Sequence, residues 1–218
     1  MVAEGTVGGS GIDPKTGRWD WSFGRLAWID VETTNVWDAE SPPFILEVAC
    51  IVTDADLSEL GRYSRVVDYQ DLSYLRKAAP YAVDMHLKSG LWERVLHRQG
   101  TVPLQEIEHQ LVKLVTDSSD PRPVVWAGAS PSALDRPVIR HHMPTFHSLL
   151  HYRTLDVSSL LLAAKNCGHS LPREIPSTEH RAESDAEEAI EAYRRFCSLI
   201  SRKTAQAERP EPFSVSAK

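Results

Sequence analysis

The sequence predicts an α/β domain built on a five-stranded mixed sheet. An antiparallel three-strand meander is followed by two parallel strands, and helices flank the sheet. Three observations carry this. Apolar runs of strand length crowd together at 25–31, 44–53 and 60–67, with linkers too short for a crossover helix. The later strand candidates, 123–126 and 153–157, are separated by helical stretches, the pattern of crossover connections. Apolar residues are spread evenly from Leu26 to Ile200, as a single core requires.

The elements follow in order. In Arg25–Val31, residues Leu26, Trp28 and Asp30 share one face by period two, and Glu32 continues it. Pro42-Pro43 marks a turn, and Phe44–Thr53 is apolar nearly throughout, as a central strand is. Leu60–Val67 is the third strand. Asp71–Ala79 and His86–Arg98 read as short helices, and Pro103–Val115 as an amphipathic helix with Leu104, Ile107, Leu111 and Leu114 on one stripe. Pro123–Trp126 is a short buried strand, followed by a turn and a helix over Leu134–His142. Arg153–Val157 is the last strand. Ser158 or Ser159 can cap the next helix, and a long final helix runs from about Ala182 to Arg202.

Composition narrows the class. The 218 residues suffice for one domain with a substantial core, without disulfides. Residues 1–24 are Gly-rich and read as a flexible arm on which Trp19 and Trp21 could dock. The folded domain is expected over 25–203, and 204–218 as a disordered tail. The N-terminus has an acid near its start and no apolar core, unlike a signal peptide, and no stretch is long and apolar enough for a bilayer. Cys50, Cys167 and Cys197 have no metal-ligand spacing and neighbour apolar residues, so reduced, semi-buried thiols in a cytoplasmic protein are expected. The net charge of −6 excludes the broad basic footprint of a protein that tracks long nucleic acid.

The chemistry lies in acids beside apolar runs. Asp30 and Glu32 in "LAWIDVETT" flank Val31 at the end of a strand, so both carboxylates fall on one face where one metal can bridge them. Asp135 opens a helix after "GASPSAL", and Asp185 lies near the start of the last helix. Alone, each reads as a first-turn acid favoured by the helix dipole, and Ser184 with Glu187 fits a capping box. His180 lies five residues before Asp185, close enough to reach a water on a metal held there, and a histidine titrates in the range a general base needs. Alone it reads as an exposed loop histidine, and His141 and His142 read as surface residues.

The combination is D-x-E early, D in the middle and H-x-A-x-x-D late. It resembles the DEDDh family of 3′–5′ exonucleases, within which the chain is most similar to the oligoribonucleases. The stretches that carry this are "WIDVETT", "ILEVACIVTDADL", "HLKSGLWERV", "HYRTLDVSSL" and "HRAESDAEEAI". The resemblance spans about residues 25–200 and implies a ribonuclease H-like fold. It implies that Asp30, Glu32, Asp135 and Asp185 bind two Mg²⁺ or Mn²⁺ ions and that His180 deprotonates the attacking water. Residues matching Val36 and Tyr81 would pack on the two bases of a dinucleotide, and His86 matches a further pocket residue. Ser130, Arg153 and Ser158 would cap the terminal phosphate, with Tyr152 reaching across a homodimer interface. The implied substrate is short single-stranded RNA, the implied product 5′-mononucleotides.

The chain departs from the family pattern at several points. Thr33-Thr34-Asn35 stands where the family has Met-Thr-Gly, Val36 where a larger leucine is usual and Tyr81 where a tryptophan is expected, and the turn before Asp135 is about one residue longer. Two other readings stay open. One is a broader DEDDh exonuclease that trims or proofreads DNA or RNA 3′ ends. The other is a binding module on a nuclease fold.

Overall fold

The computed structural model describes residues 24–116, 120, 122–169 and 180–207. The sheet has six strands, β1 (Arg25–Thr33), β2 (Ile45–Asp54), β3 (Glu59–Asp68), β4 (Thr101–Pro103), β5 (Val124–Gly128) and β6 (Leu150–Asp156), ordered β4-β3-β2-β1-β5-β6. The β1–β3 meander is antiparallel, and β5 and β6 run parallel to β1, as expected. The sixth strand, β4, was not expected. It is three residues long, pairs in parallel with β3 at the sheet edge and ends in Pro103. Proline lacks the N–H a central ladder needs, and so short a segment carries no readable period.

The helices are α1 (Pro80–Lys88), α2 (Leu91–Leu96), α3 (Leu104–Thr116), α4 (Asp135–His142), α5 (Pro144–Leu149), α6 (Val157–Asn166) and α7 (Ala182–Ala207), with a 3₁₀ turn over Leu72–Lys77. The expected helices at 71–79 and 86–98 are differently divided. Pro80 opens α1, since its missing N–H is unneeded in a first turn. Gly90, at φ +73°, separates α1 from α2 in a conformation that a Cβ disfavours. The six-residue α5, also opened by a proline, was not expected. The last strand begins at Leu150, three residues early. The cap of α6 is Asp156, whose carboxylate accepts from Ser159 N–H, and neither Ser158 nor Ser159 fills that place. The arm at 1–23, with Trp19 and Trp21, and the segment 208–218 lie outside the described residues, and α7 continues to Ala207.

Period two divides β1 between two cores. Ala27, Ile29 and Val31 pack with Ile107, Leu111, Val138, Ile139 and Phe146 from α3, α4 and α5. Leu26 and Trp28 pack with Ala186, Ala189 and Ile190 of α7 and Val157 of α6. A third cluster joins Leu46 and Val66 to Tyr74, Leu91, Trp92 and Val95. Asp30 and Glu32 extend the α7 face of β1, so their carboxylates emerge where α7 begins. Cys50 is buried in the core, but Cys167, at the end of α6, is exposed and not semi-buried. His142 is likewise more than a surface residue, since its Nε2 lies 2.7 Å from the Pro43 carbonyl. No helix among the described residues is long and apolar enough to cross a membrane.

Candidate active site

Asp30, Glu32 and Asp185 each offer a carboxylate oxygen to one cluster, with these atoms within 4.8 Å of one another. β1 supplies the first two from alternate positions and α7 supplies the third from its first turn. Asp135 lies beside them. It is the first residue of α4, buried, and accepts a hydrogen bond from the Val31 N–H. Gly128 eases that approach. At the end of β5, a Cβ on it would sit 3.1 Å from the Ile29 carbonyl, a tight contact that glycine avoids where the backbone passes close to β1.

Packed carboxylates without enough positive charge resist ionising. Burial raises Asp30 well above the ordinary range, and the charges of Asp135, Asp185 and Glu32 add to this. Burial, then Asp185, Glu47 and Asp135, raise Glu32 to about 8, with only Arg181 opposing. Burial lifts Asp135 to about 7 against its hydrogen bonds. Burial and Glu188 bring Asp185 to about 6, with His180 pulling the other way. The missing partner for such a group is a cation, and an all-oxygen donor set suits a hard divalent ion.

His180 stands exposed just before α7, at φ +39°, and is near enough to favour the charged form of Asp185. α7 begins at Ala182, so Ser184 falls inside the first turn and does not serve as its N-cap. His86 is fully buried behind β1. Its Nε2 lies 2.9 Å from the Thr33 carbonyl and its Nδ1 3.8 Å from Glu32 Oε2, and burial lowers its pKa.

The expected substrate residues fall into small groups. Val36 and Tyr81 are both more than half exposed and are linked through Asn35, whose Oδ1 accepts from the Val36 N–H at 2.9 Å and the Tyr81 hydroxyl at 3.0 Å. Ser130 and Ser158 meet through their hydroxyls at 3.2 Å, and the Ser158 N–H donates to the Ala129 carbonyl. On β6, the Arg153 guanidinium lies 5.1 Å from the centre of the Tyr152 ring, and Tyr152 is 66% exposed. A cavity of about 780 Å³ opens beside Tyr152, lined by Trp37, Arg136, Arg140, His141 and His147 among others. It is more basic and aromatic than the carboxylate cluster.

Sequence reasoning missed two residues. Glu47, near the start of β2, is 2% exposed and pairs directly across the ladder from Glu32. Arg181 grips it through a two-pronged contact, with Nε 2.8 Å from Oε2 and Nη2 closing on Oε1. The signal was present as a lone acid inside the apolar run "ILEVACIV", since a buried carboxylate demands a partner.

Residues 27–193 match the RNase_T family, described as exonuclease. The chain is 35% identical over 190 residues to the oligoribonuclease of Corynebacterium diphtheriae, covering 84% of this chain and 88% of that one. It is 31% identical over 184 residues to the mitochondrial oligoribonuclease of Mus musculus, covering 82% and 74%. Among solved structures, it resembles E. coli Exonuclease I in complex with a dT13 oligonucleotide, with a TM-score of 0.61 at 16% identity. That likeness covers 84% of this chain but 43% of the other, so it speaks for the fold alone.

Proposed function

The chain belongs to the RNase_T exonuclease family, and from that premise we propose how it works as a 3′–5′ exoribonuclease on short RNA. The observation that carries the reading is the convergence of Asp30, Glu32 and Asp185 on one point at the end of β1. We read Asp30, Glu32, Asp135 and Asp185 as the ligands of two Mg²⁺ or Mn²⁺ ions. Such ions, when bound, lower the pKa of a coordinated water and offset charge on the phosphodiester.

The chain's own groups do the rest. His180 takes the proton from the attacking water, and its exposed position lets it pass that proton on to solvent. Val36 and Tyr81 hold the bases from the rim that Asn35 ties together. A ring face accepts any base, which suits degradation blind to sequence. His86 steadies Glu32 and the end of β1 from behind the pocket. Ser130, Ser158 and Arg153 hold the terminal phosphate, with Tyr152 reaching over it from the second subunit of a homodimer. A dinucleotide fills that space, and 5′-mononucleotides leave it. The catalytic domain is residues 25–203, acting in the cytoplasm.

The test is cleavage of 5′-labelled RNA of two, three, five and more nucleotides with Mg²⁺, Mn²⁺ or EDTA. Fast metal-dependent loss of the dinucleotide, with slower decay of longer strands, is the expected result. Equal rates at all lengths would mean an open cleft and a general exonuclease. No cleavage with either metal would overturn the reading.

A further inference from the structure

We propose that Glu47 and Arg181 form a positioning pair that sets His180 beside Asp185, an inference that rests on His180 acting as the base. The geometry begins in the sheet. Residues directly opposed in an antiparallel ladder project on the same face, so Glu47 shares the face of its partner Glu32. It is not part of the carboxylate cluster, because its oxygens are already engaged. Oε2 accepts from Arg181 Nε at 2.8 Å and from the Ala182 N–H at 3.2 Å. Oε1 takes the second prong of Arg181, with Arg94 Nη1 at 3.6 Å on its far side.

These contacts fall on the two residues that follow His180. The Ala182 N–H is the first donor of α7, a group left without a partner inside the helix, and the buried carboxylate fills that place. His180 itself has φ +39°, in the left-handed region where a side chain is disfavoured, so this backbone needs an external hold. The fork on Arg181 supplies it. Its two planar donors fix the direction of the guanidinium as well as its distance. The chain entering α7 is thereby pinned to the strand next to the one bearing Asp30 and Glu32, and His180 and Asp185 keep a fixed relation. Arg181 is 23% exposed, with its guanidinium turned to Glu47, so it contributes through its neighbour.

The experiment is a double-mutant cycle on the full chain with short RNA at saturating Mn²⁺, saturation of each variant being checked by calorimetry. His180→Ala, Arg181→Gln, Arg181→Lys, Glu47→Gln and the doubles with His180→Ala are compared. Arg181→Gln should lower kcat by about 10–100-fold with KM within about twofold, a share of what a general base supplies. Arg181→Lys, which keeps the charge and loses the fork, should fall between. In the His180→Ala background, Arg181→Gln and Glu47→Gln should cost no more than about twofold further, because residues acting through one another are not additive. If the losses multiply in the double variants, or if both Arg181 variants keep full kcat, the positioning role is wrong. If Glu47→Gln does not fold, the Arg181 variants at the partly exposed end carry the same comparison. A His180→Ala variant with undiminished kcat would instead remove the base assignment, and the inference with it.

Discussion

Replacing Glu32 with glutamine should stabilise the metal-free protein while destroying the site. Glu32 ionises near its ordinary value of 4.5 in the unfolded chain and at about 8 in the fold. Between those values the folded state holds a proton that the unfolded state has released, so stability falls as pH rises through the window. From pH 6 to pH 8 the difference amounts to about 2 kcal/mol from this one group. Glutamine does not titrate, so the loss is absent in Glu32→Gln. In EDTA, the gap in unfolding free energy between variant and wild type should widen by about 2 kcal/mol between the two pH values, or roughly 4–8 °C in Tm for a chain of this size. Groups away from the cluster cancel in the comparison, and loss of the Glu32 charge also eases the ionisation of Asp30, which widens the gap in the same direction. Thermal melts by circular dichroism read this directly. Added Mg²⁺ should close the gap by stabilising the wild type at pH 8, because a ligand that binds only the fold favours it by mass action. A gap that stays constant with pH would refute the claim that unpaired charge is stored at this site.

Three further outcomes are expected. Asp185→Asn should cut cleavage by at least about a hundredfold, as loss of a group acting in the transition state does, with an unchanged far-ultraviolet spectrum. Retention of most activity would remove Asp185 from the ligand set. Tyr81→Ala should raise KM for a dinucleotide by roughly 5–150-fold, the affinity equivalent of about 1–3 kcal/mol of stacking, with kcat little changed. A kcat-only effect would place the ring elsewhere than on a base. Phe146→Ala, deep in the core against α3 and α4, should lower stability by about 3–5 kcal/mol in urea titrations, and its active fraction should cleave normally.

The sequence made the centre of the fold legible because the two periods coincide there. Alternation in β1 separated the α7 face from the α3 face and put Asp30 and Glu32 on one side, which the structure bears out. Legibility failed where an element is too short to show a period, as in β4 and α5, or where one residue decides a boundary, as Pro80 and Gly90 do between Asp71 and Arg98. The start of α7 near Ala182 was legible, but the Ser184–Glu187 capping-box pattern does not mark its cap, because the partner of its first N–H is Glu47, 135 positions away in sequence. No local pattern reports a cap supplied by a distant strand. Glu47 itself was passed over inside an apolar run, although an acid in a central strand is the stronger anomaly there.

The order of the elements along the chain also sets when the carboxylate cluster can assemble. A chain emerging from the ribosome displays Asp30 and Glu32 early and Asp135 midway, but Asp185 and His180 arrive only with α7. Domains fold as their last essential element becomes available. Until α7 docks on β1 and β2, the nascent chain lacks Asp185 and His180 beside Asp30 and Glu32, and Glu47 waits in β2 without the arginine that covers it. The carboxylate cluster therefore closes late in synthesis, once α7 has packed on the sheet.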